Sequence, residues 1–379
     1  MVSATHTAAV INEAGNVDIK KVDIPKAGEN EVLVNVVTAA LNPADWKITK
    51  GLGKTGSVPG HDFAGVIKEL GPATGSTGLK VGDRVTSYIP WARGISGSFA
   101  EHVAASADHC IPLPDTWTFE QGAGVGVGMY TAFQAIFESL NLPAPFSEGT
   151  PTPTPLLVYG ASSAVGLYAV QIAKAAGFRV FAVCSPKNFE LVKSLGAEAA
   201  FDYKEPGVGA KIKEASGGMI QHAVDTIAAP GSGKLFVDAL SSEGGKIGTL
   251  GFYTDEDKAI LDGSKVAHQF SNAYAVFSES NGPKYSKLAA RLLAEGKVKP
   301  TPIKVWENGL EGVNDAMQYM IDGKVSAEKI VFRVGRAAAA ARHLPTRGGL
   351  ATARTCIPTF SFFYFHVQLY LQLPAVYFR

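Results

Sequence analysis

Cysteine is scarce in this chain. Three cysteines, Cys110, Cys184 and Cys356, occur in 379 residues, and no two of them stand in a C-x-x-C spacing. So few and widely spaced cysteines indicate neither a disulfide framework nor a zinc knuckle, and a reducing compartment is the default expectation. The N-terminal residues lack the basic segment and apolar core of a secretory signal. We therefore expect a cytoplasmic protein.

The chain also has almost no excess of either charge. It carries 35 Lys and Arg residues against 34 Asp and Glu residues, which gives a formal net charge of +1. A nucleic-acid partner normally requires a basic surface, so none is expected. The apolar residues near the C-terminus are interrupted by His, Gln and Pro, so we expect no membrane partner. This composition is typical of a globular enzyme.

Four segments of the chain differ in pattern. Residues 1–150 carry short strand-like runs such as EVLVNVVTAAL and FAGVIKELG, which favours a β domain, and a proline-rich linker ends this segment. In residues 151–290, apolar runs alternate with helical periods, which is typical of a doubly wound parallel sheet of the Rossmann type. Residues 291–335 end in the strand EKIVFRV, which we expect to return to the β domain. Residues 336–379 form a low-complexity, aromatic-rich tail that we expect to be dispensable for chemistry; the alternatives are a membrane-surface anchor and a segment that docks on the substrate cleft.

The stretch LLVYGASSAVGLYAVQIAKAAG, residues 156–177, predicts a strand, a turn of small residues and a helix. Such a turn suits a phosphate group, because the first N–H groups of a helix are unpaired and carry partial positive charge. In the G-x-G-x-x-G frame only Gly166 fits, since Ala161 and Ser163 occupy the first two glycine positions. The turn alone therefore leaves open whether a dinucleotide binds here.

A carboxylate is missing where an NAD-binding chain normally has one. About twenty residues past the turn, the strand RVFAVC ends in SPKNF rather than in an Asp or Glu. Ser185, Lys187 and Asn188 supply donors and positive charge, which favours the additional phosphate of NADP(H). The alternative is that Ser185 caps the following helix while Lys187 is merely solvated.

Several motifs occur in a family-like order over residues 1 to about 335. They are NPADWK at 42–47, PGHDFAGVI at 59–67, VGDRV at 81–85, GSFAEHV at 97–103, YGASSAVG at 159–166 and the closing KIVFRV. On these motifs the chain resembles the medium-chain dehydrogenase/reductase superfamily. Within it, SPKNF followed by FDY is most similar to the fungal trans-acting enoyl reductases, which are related to zinc-free quinone oxidoreductases. The resemblance implies an α/β fold with a GroES-like β domain and a Rossmann domain, and hydride transfer from NADPH to a small-molecule or acyl substrate by a monomer or homodimer.

The resemblance also implies the residues of the site. The cofactor contacts that it implies are Asp45, Trp46, Lys47, Ile48, Ser162, Ser163, Ala164, Val165, Ser185, Pro186, Lys187, Asn188, Tyr203, Thr249, Leu250, Val325 and Ser326. The substrate contacts that it implies are Gly128, Met129, Tyr130, Phe270 and Asn272. Asp45 and Lys47 are the candidate catalytic residues. For each of these positions, packing or solvent exposure is the alternative interpretation.

The zinc ligands of the related alcohol dehydrogenases are absent from this sequence. Neither LNPADW nor the region before Leu156 contains a cysteine, so only His61 of GHDF remains. One imidazole cannot hold a catalytic zinc ion, and we expect no metal. His61 is then predicted to be a packing residue that is hydrogen-bonded to the backbone.

Without a metal ion, reduction of a carbonyl is difficult because nothing obvious offsets the developing alkoxide charge. Reduction of a conjugated C=C is easier, since the charge spreads into an enolate and a proton then reaches the α-carbon. Lys47 stands where quinone oxidoreductases have a Tyr, and it could donate this proton if it is desolvated. An exposed Lys47, or one on a cofactor phosphate, is the alternative. The sequence thus predicts an NADPH-dependent enoyl reductase; the alternatives are a quinone oxidoreductase, a non-catalytic NADPH-binding protein and a zinc alcohol dehydrogenase.

Overall fold

The computed structural model describes residues 4–90, 96–147, 153–271 and 281–335. All the elements given below belong to one compact unit that ends at Gly335. The predicted tail at 336–379 and the predicted substrate residue Asn272 lie outside these ranges.

The first part of the chain is rich in strands, as its short apolar runs predict. Its core strand, EVLVNVVTAA, is buried along almost its whole length, which is consistent with its place between two neighbours. The strands are β1 (Thr5–Ile11), β2 (Val17–Asp23), β3 (Glu31–Ala40), β4 (Asp62–Leu70), β5 (Arg84–Tyr88), β6 (His102–Ser106) and β7 (Ile111–Pro112). The helices are α1 (Pro43–Lys47), α2 (Phe119–Ala123) and α3 (Gly126–Phe133).

Strands and helices then alternate from Pro155 onward. The strands are β8 (Pro155–Tyr159), β9 (Arg179–Val183), β10 (Ala197–Phe201), β11 (His222–Asp225), β12 (Gly245–Thr249) and β13 (Val266–Phe270). The helices are α4 (Ala164–Ala175), α5 (Phe189–Ser194), α6 (Val208–Ala215), α7 (Ser232–Ala239) and α8 (Asp255–Asp262). All six strands pair in parallel in the order β10-β9-β8-β11-β12-β13. The predicted Rossmann-type sheet is confirmed.

The chain next returns to the β domain. It passes through α9 (Gly282–Ala294), β14 (Ile303–Trp306), α10 (Val313–Ile321) and β15 (Lys329–Arg333). β15 pairs antiparallel with β3, and β14 pairs in parallel with β15. A seven-stranded sheet results, with the order β14-β15-β3-β4-β5-β7 and with β6 also paired to β3. The strand in EKIVFRV thus pairs with a strand of the first part of the chain.

Each sheet has its own buried core. Every residue of β8 is buried, as expected for a parallel strand that is covered on both faces. Phe181, Phe236 and Ile247 pack in the core of the parallel sheet, whereas Phe63 and Phe332 pack in that of the β domain. The order of the parallel strands reverses between β8 and β11. Ligands of open α/β sheets bind at such a switch point, beyond the carboxyl ends of the strands.

Candidate active site

A cleft of about 650 Å³ lies at this switch point. One wall comes from the carboxyl ends of β8 and β9 and from the turns that follow them. The opposite wall comes from Leu41 and Pro43, directly after β3, and from residues 325–330, which lead into β15. The parallel sheet and the β domain thus supply one wall each.

The turn after β8 is too tight for any residue but glycine at two positions. Gly160 has a φ of +70°, and a Cβ there would lie 2.3 Å from Thr226 Oγ1. A Cβ on Gly166 would lie 2.2 Å from the carbonyl oxygen of Gly160. The start of α4 therefore packs directly on the turn.

Ser163 occupies the N-cap of α4. Its Oγ accepts a hydrogen bond from Gly166 N at 2.9 Å and lies 2.9 Å from Thr226 Oγ1. Ser162, Ser163 and Ala164 line the cleft, and Val165 is half-buried just behind them. A helix N-terminus at the wall of a cleft fits a diphosphate group.

The turn after β9 supplies the next part of the same wall. Ser185, Lys187 and Asn188 line the cleft, and Asn188 Nδ2 donates to Ser162 Oγ at 3.0 Å, which ties the two turns together. Ser185 occupies the N-cap position of the one-turn helix Pro186–Asn188, but its side chain makes no capping hydrogen bond. The exposed Lys187 and the 42% exposed Tyr203 both face the cleft, whereas the exposed Pro186 does not line it.

The cleft has one acidic lining residue among the described parts of the chain. This residue is Glu328, on the wall opposite the turn after β9. Lys187 therefore lies on a wall whose described lining residues are not acidic, an arrangement that suits a phosphate group.

The structure brings two of the four predicted cofactor contacts at 249–250 and 325–326 to the cleft. Val325 and Ser326 line the cleft. Thr249 and Leu250 follow the end of β12 and do not line it. Thr249 is buried, and its Oγ1 donates to the carbonyl of Gly251 at 3.1 Å.

Residues 45–48 lie behind the β-domain wall. Asp45 is fully buried: its Oδ2 accepts from Asn42 N at 2.6 Å, and its Oδ1 pairs with His61 Nδ1. The structure therefore does not bring Asp45 to the cleft as predicted. Both of its oxygens are engaged in holding the loop.

The neighbours of Asp45 on this segment differ in exposure. Trp46 packs on the β-domain core and Ile48 is buried in it. Lys47 is half-buried with its Nζ 5.7 Å from the centroid of the Trp46 ring, and desolvation lowers the pKa of Lys47. Lys47 is thus partly desolvated, but it is not among the residues that line the cleft.

His61 has a carboxylate partner, where the sequence predicts a backbone partner. Burial alone would lower the pKa of His61, but the Asp45 carboxylate outweighs it and raises that pKa.

A second buried ion pair lies nearby: Lys329 Nζ donates to Asp62 Oδ2 at 2.9 Å. Sequence reasoning missed both Asp62 and Lys329. Charged residues at the start of apolar strands could have indicated them, because a buried charge needs a partner.

The donor groups do not fit a zinc ion. Among the residues that the structure describes, no group of three or more His, Cys, Asp or Glu side chains could hold a metal. The Nδ1 of His61 is paired with Asp45, and the charge of Asp62 is balanced by the ammonium of Lys329. No step of the chemistry is therefore assigned to zinc.

The predicted substrate residues on α3 lie in the core. Met129 and Tyr130 are buried, and Tyr130 Oη donates to the carbonyl of His109 at 3.0 Å. A Cβ on Gly128 would lie 3.2 Å from the Tyr168 ring, so this glycine allows α3 to pack on α4. Phe270 is exposed and stacks on Phe252 with a centroid distance of 4.6 Å. The structure does not bring these four residues to the cleft.

Two protein-family models match the chain, one in the β domain and one in the region of the parallel sheet. Residues 28–115 match "Alcohol dehydrogenase GroES-like domain", and residues 164–294 match "Zinc-binding dehydrogenase". No helix in the described ranges is long and apolar enough to cross a membrane.

The chain is similar to curated fungal proteins over nearly their whole length. It is 35% identical to the trans-enoyl reductase ACTTS2 of Alternaria alternata, over 87% of this chain and 99% of that protein. It is 32% identical to the trans-enoyl reductase RAP1 of Pyricularia oryzae, over 88% and 99%.

Solved structures share the fold at lower identity. An alcohol dehydrogenase superfamily protein of Novosphingobium aromaticivorans superposes with a TM-score of 0.76 at 22% identity, over 87% of this chain and 100% of that one. The CurK enoyl reductase superposes with a TM-score of 0.71 at 20% identity, over 88% and 100%. At this level of identity the likeness supports the fold alone.

Proposed function

The chain belongs to the medium-chain dehydrogenase/reductase superfamily, and from this premise we propose that it is an NADPH-dependent reductase of a conjugated C=C in an enoyl thioester or enone, acting without a metal ion. The observation that carries the proposal is the cleft at the switch point. Its Rossmann wall combines a helix N-terminus with Lys187 and has no carboxylate at the end of β9. Trans-enoyl reductases among its relatives support the type of substrate.

The residues present fit NADPH on both walls. Ser162, Ser163 and the first N–H groups of α4 would hold the diphosphate. Lys187 and Ser185, together with the phenol of Tyr203, would contact the adenosine phosphate. On the opposite wall, Val325 and Ser326 would cover the nicotinamide, an arrangement that also excludes water.

When it is bound, NADPH supplies the hydride for the β-carbon of the substrate. Lys47 is our candidate proton donor: it lies on α1 four residues after Pro43, and Pro43 lines the cleft. Its lowered pKa brings the ammonium closer to the range in which it gives up a proton at the α-carbon. Trp46 limits the movement of this segment by packing on the β-domain core.

The test is a screen of NADPH oxidation over a crotonyl thioester, a small enone and a quinone, before and after exhaustive chelation. The proposal expects turnover of the thioester or enone that chelation does not reduce. Turnover of quinones alone would assign the chain to quinone reduction, and NADPH binding without turnover would assign it a binding role. Activity that is lost on chelation and restored by zinc would contradict the metal-free chemistry.

A further inference from the structure

Three segments of the chain meet at one buried ammonium. Lys329, the first residue of β15, donates from Nζ to Asn42 Oδ1 at 2.5 Å and to Asp62 Oδ2 at 2.9 Å. Asn42 completes the triangle by donating from Nδ2 to Asp62 Oδ2 at 2.9 Å. None of the three side chains is more than 4% exposed, so water does not substitute for these bonds.

The triangle lies where β3 leaves the sheet. Ala40, the last residue of β3, pairs with Asp62 on β4, and Leu41 then donates its N–H to the carbonyl of Ile330 on β15 at 2.9 Å. Segment 41–47 begins at this point, and its first residues line the cleft. The Lys329–Asp62 ion pair therefore joins β15 to β4 across the end of β3, where segment 41–47 begins.

The same carboxylate holds a second element beside the cleft. Asp62 Oδ1 accepts from Val127 N at 2.7 Å in the first turn of α3. A Cβ on Gly126 would lie 2.2 Å from that oxygen, so the glycine is required for the contact. Through Gly128, α3 then packs on α4, the helix whose N-terminus faces the cleft. Asp62 is thus hydrogen-bonded to Asn42, next to the β-domain wall, and to α3, which packs on α4 of the opposite wall.

We propose that Lys329 is a positioning residue: its ammonium, hydrogen-bonded to Asn42 and Asp62, fixes the start of segment 41–47, where Leu41 and Pro43 line the cofactor cleft. The claim that the cleft binds a cofactor rests on the proposed function. The hydrogen bonds of Lys329 to Asn42 and Asp62, which we call the tie, do not depend on it. An ammonium suits this place because it offers three donors to acceptors from different segments and balances the charge of Asp62. In this role Lys329 acts through segment 41–47, although Lys329 is itself among the residues that line the cleft.

Two variants separate positioning from charge balance. Lys329→Met removes the tie and leaves Asp62 without its balancing charge, so this variant is expected to be less stable. Lys329→Met combined with Asp62→Asn removes the tie but keeps the cluster neutral. The control is Arg333→Met on the same strand, which removes an exposed ion pair to Glu120.

The first readout is hydrogen exchange of segment 41–47 in the protein without cofactor. The amides of Leu41, Asn42 and Asp45 are hydrogen-bonded there, and the double variant is expected to lose protection by about tenfold. The second readout is the Kd for NADPH, which is expected to rise about tenfold or more, because small misplacements of positioning segments are costly. The control variant should change neither.

Each outcome decides the proposal. If the double variant exchanges and binds NADPH like the wild type, Lys329 only balances charge and the proposal is overturned. Faster exchange with unchanged NADPH affinity would overturn the claim that the tie shapes the cleft. If the wild type fails to bind NADPH while the double variant still exchanges faster, the tie stands and the proposed function fails instead.

Discussion

Replacement of Gly166 by alanine tests how the turn after β8 forms the cofactor cleft. The new Cβ would lie 2.2 Å from the carbonyl oxygen of Gly160 and 2.8 Å from the carbonyl carbon of Ala161, both backbone atoms that cannot rotate away. Ordinary contact begins at 3.4 Å, so α4 and the turn must separate by about 1 Å. Overpacking of this kind costs about 1–3 kcal/mol of unfolding free energy.

The same displacement moves the N–H groups at the start of α4 away from the cleft. A shift of about 1 Å in a positioning element lowers function by about 100-fold, and we expect a loss of that order in NADPH affinity. The assay is titration of NADPH by nucleotide fluorescence, together with a thermal melt in which each kcal/mol lowers the Tm by roughly 2–4 °C.

Gly75→Ala is the matched control for this substitution. Its Cβ would have no heavy atom within 4 Å, and Gly75 lies in a short turn of the β domain. This variant should bind NADPH normally and keep its stability or gain about 0.4–1 kcal/mol. A Gly166→Ala protein with the melting temperature and NADPH affinity of the wild type would refute the argument from steric contact.

Three further predictions concern charge at the site. Ser185→Asp combined with Lys187→Ala should weaken NADPH relative to NADH by roughly 1–3 kcal/mol, as measured by the ratio of their Kd values; equal affinities in the wild type would contradict this. Because the folded-state pKa of His61 is raised, its pairing with Asp45 contributes stability that is present below pH 6.5 and is lost as the pH rises through that raised pKa. Thermal melts from mildly acidic to alkaline pH should show this loss, and His61→Gln should remove it. If Lys47 donates the proton, kcat should fall as the pH rises through the lowered pKa of Lys47. Lys47→Met should be much slower, and its kcat should no longer show this fall at alkaline pH. A pH profile of Lys47→Met that matches the wild type would exclude Lys47 as the donor.

The fold could be predicted largely because its signals are local. The apolar run at 156–159, the small residues after it and the helical period that follows are each visible within a short window, and they form β8, the turn and α4. The absence of an acid after β9 is equally local, and the structure places Ser185 and Lys187 at the cleft. Local signals of this kind depend little on the rest of the chain.

The buried polar groups could not be predicted in the same way. Lys329 lies 287 residues from Asn42 and 267 from Asp62 along the chain, so no local pattern joins them. The motifs GHDF and EKIVFRV contain these charges, but a motif does not say which buried charge pairs with which. Their pairing depends on the packing of β15 beside β3, which is a tertiary property.

The burial of the predicted substrate residues on α3 could not be read from the sequence for a related reason. A glycine-rich apolar helix allows close approach of any neighbour, and sequence alone does not identify that neighbour. At Gly126 the neighbour is the Asp62 carboxylate, and at Gly128 it is the ring of Tyr168. Core packing, which was the alternative interpretation, therefore accounts for Met129 and Tyr130.

The measurement that tests the central claim most directly follows the hydride itself. Chelated enzyme is incubated with a crotonyl thioester and NADPH that carries deuterium at both transferable positions of the nicotinamide, and the product is examined by NMR. The account predicts one deuterium at the β-carbon and a solvent-derived proton at the α-carbon. A saturated product without deuterium at the β-carbon, or deuterium at the carbonyl carbon of a reduced alcohol, would contradict it.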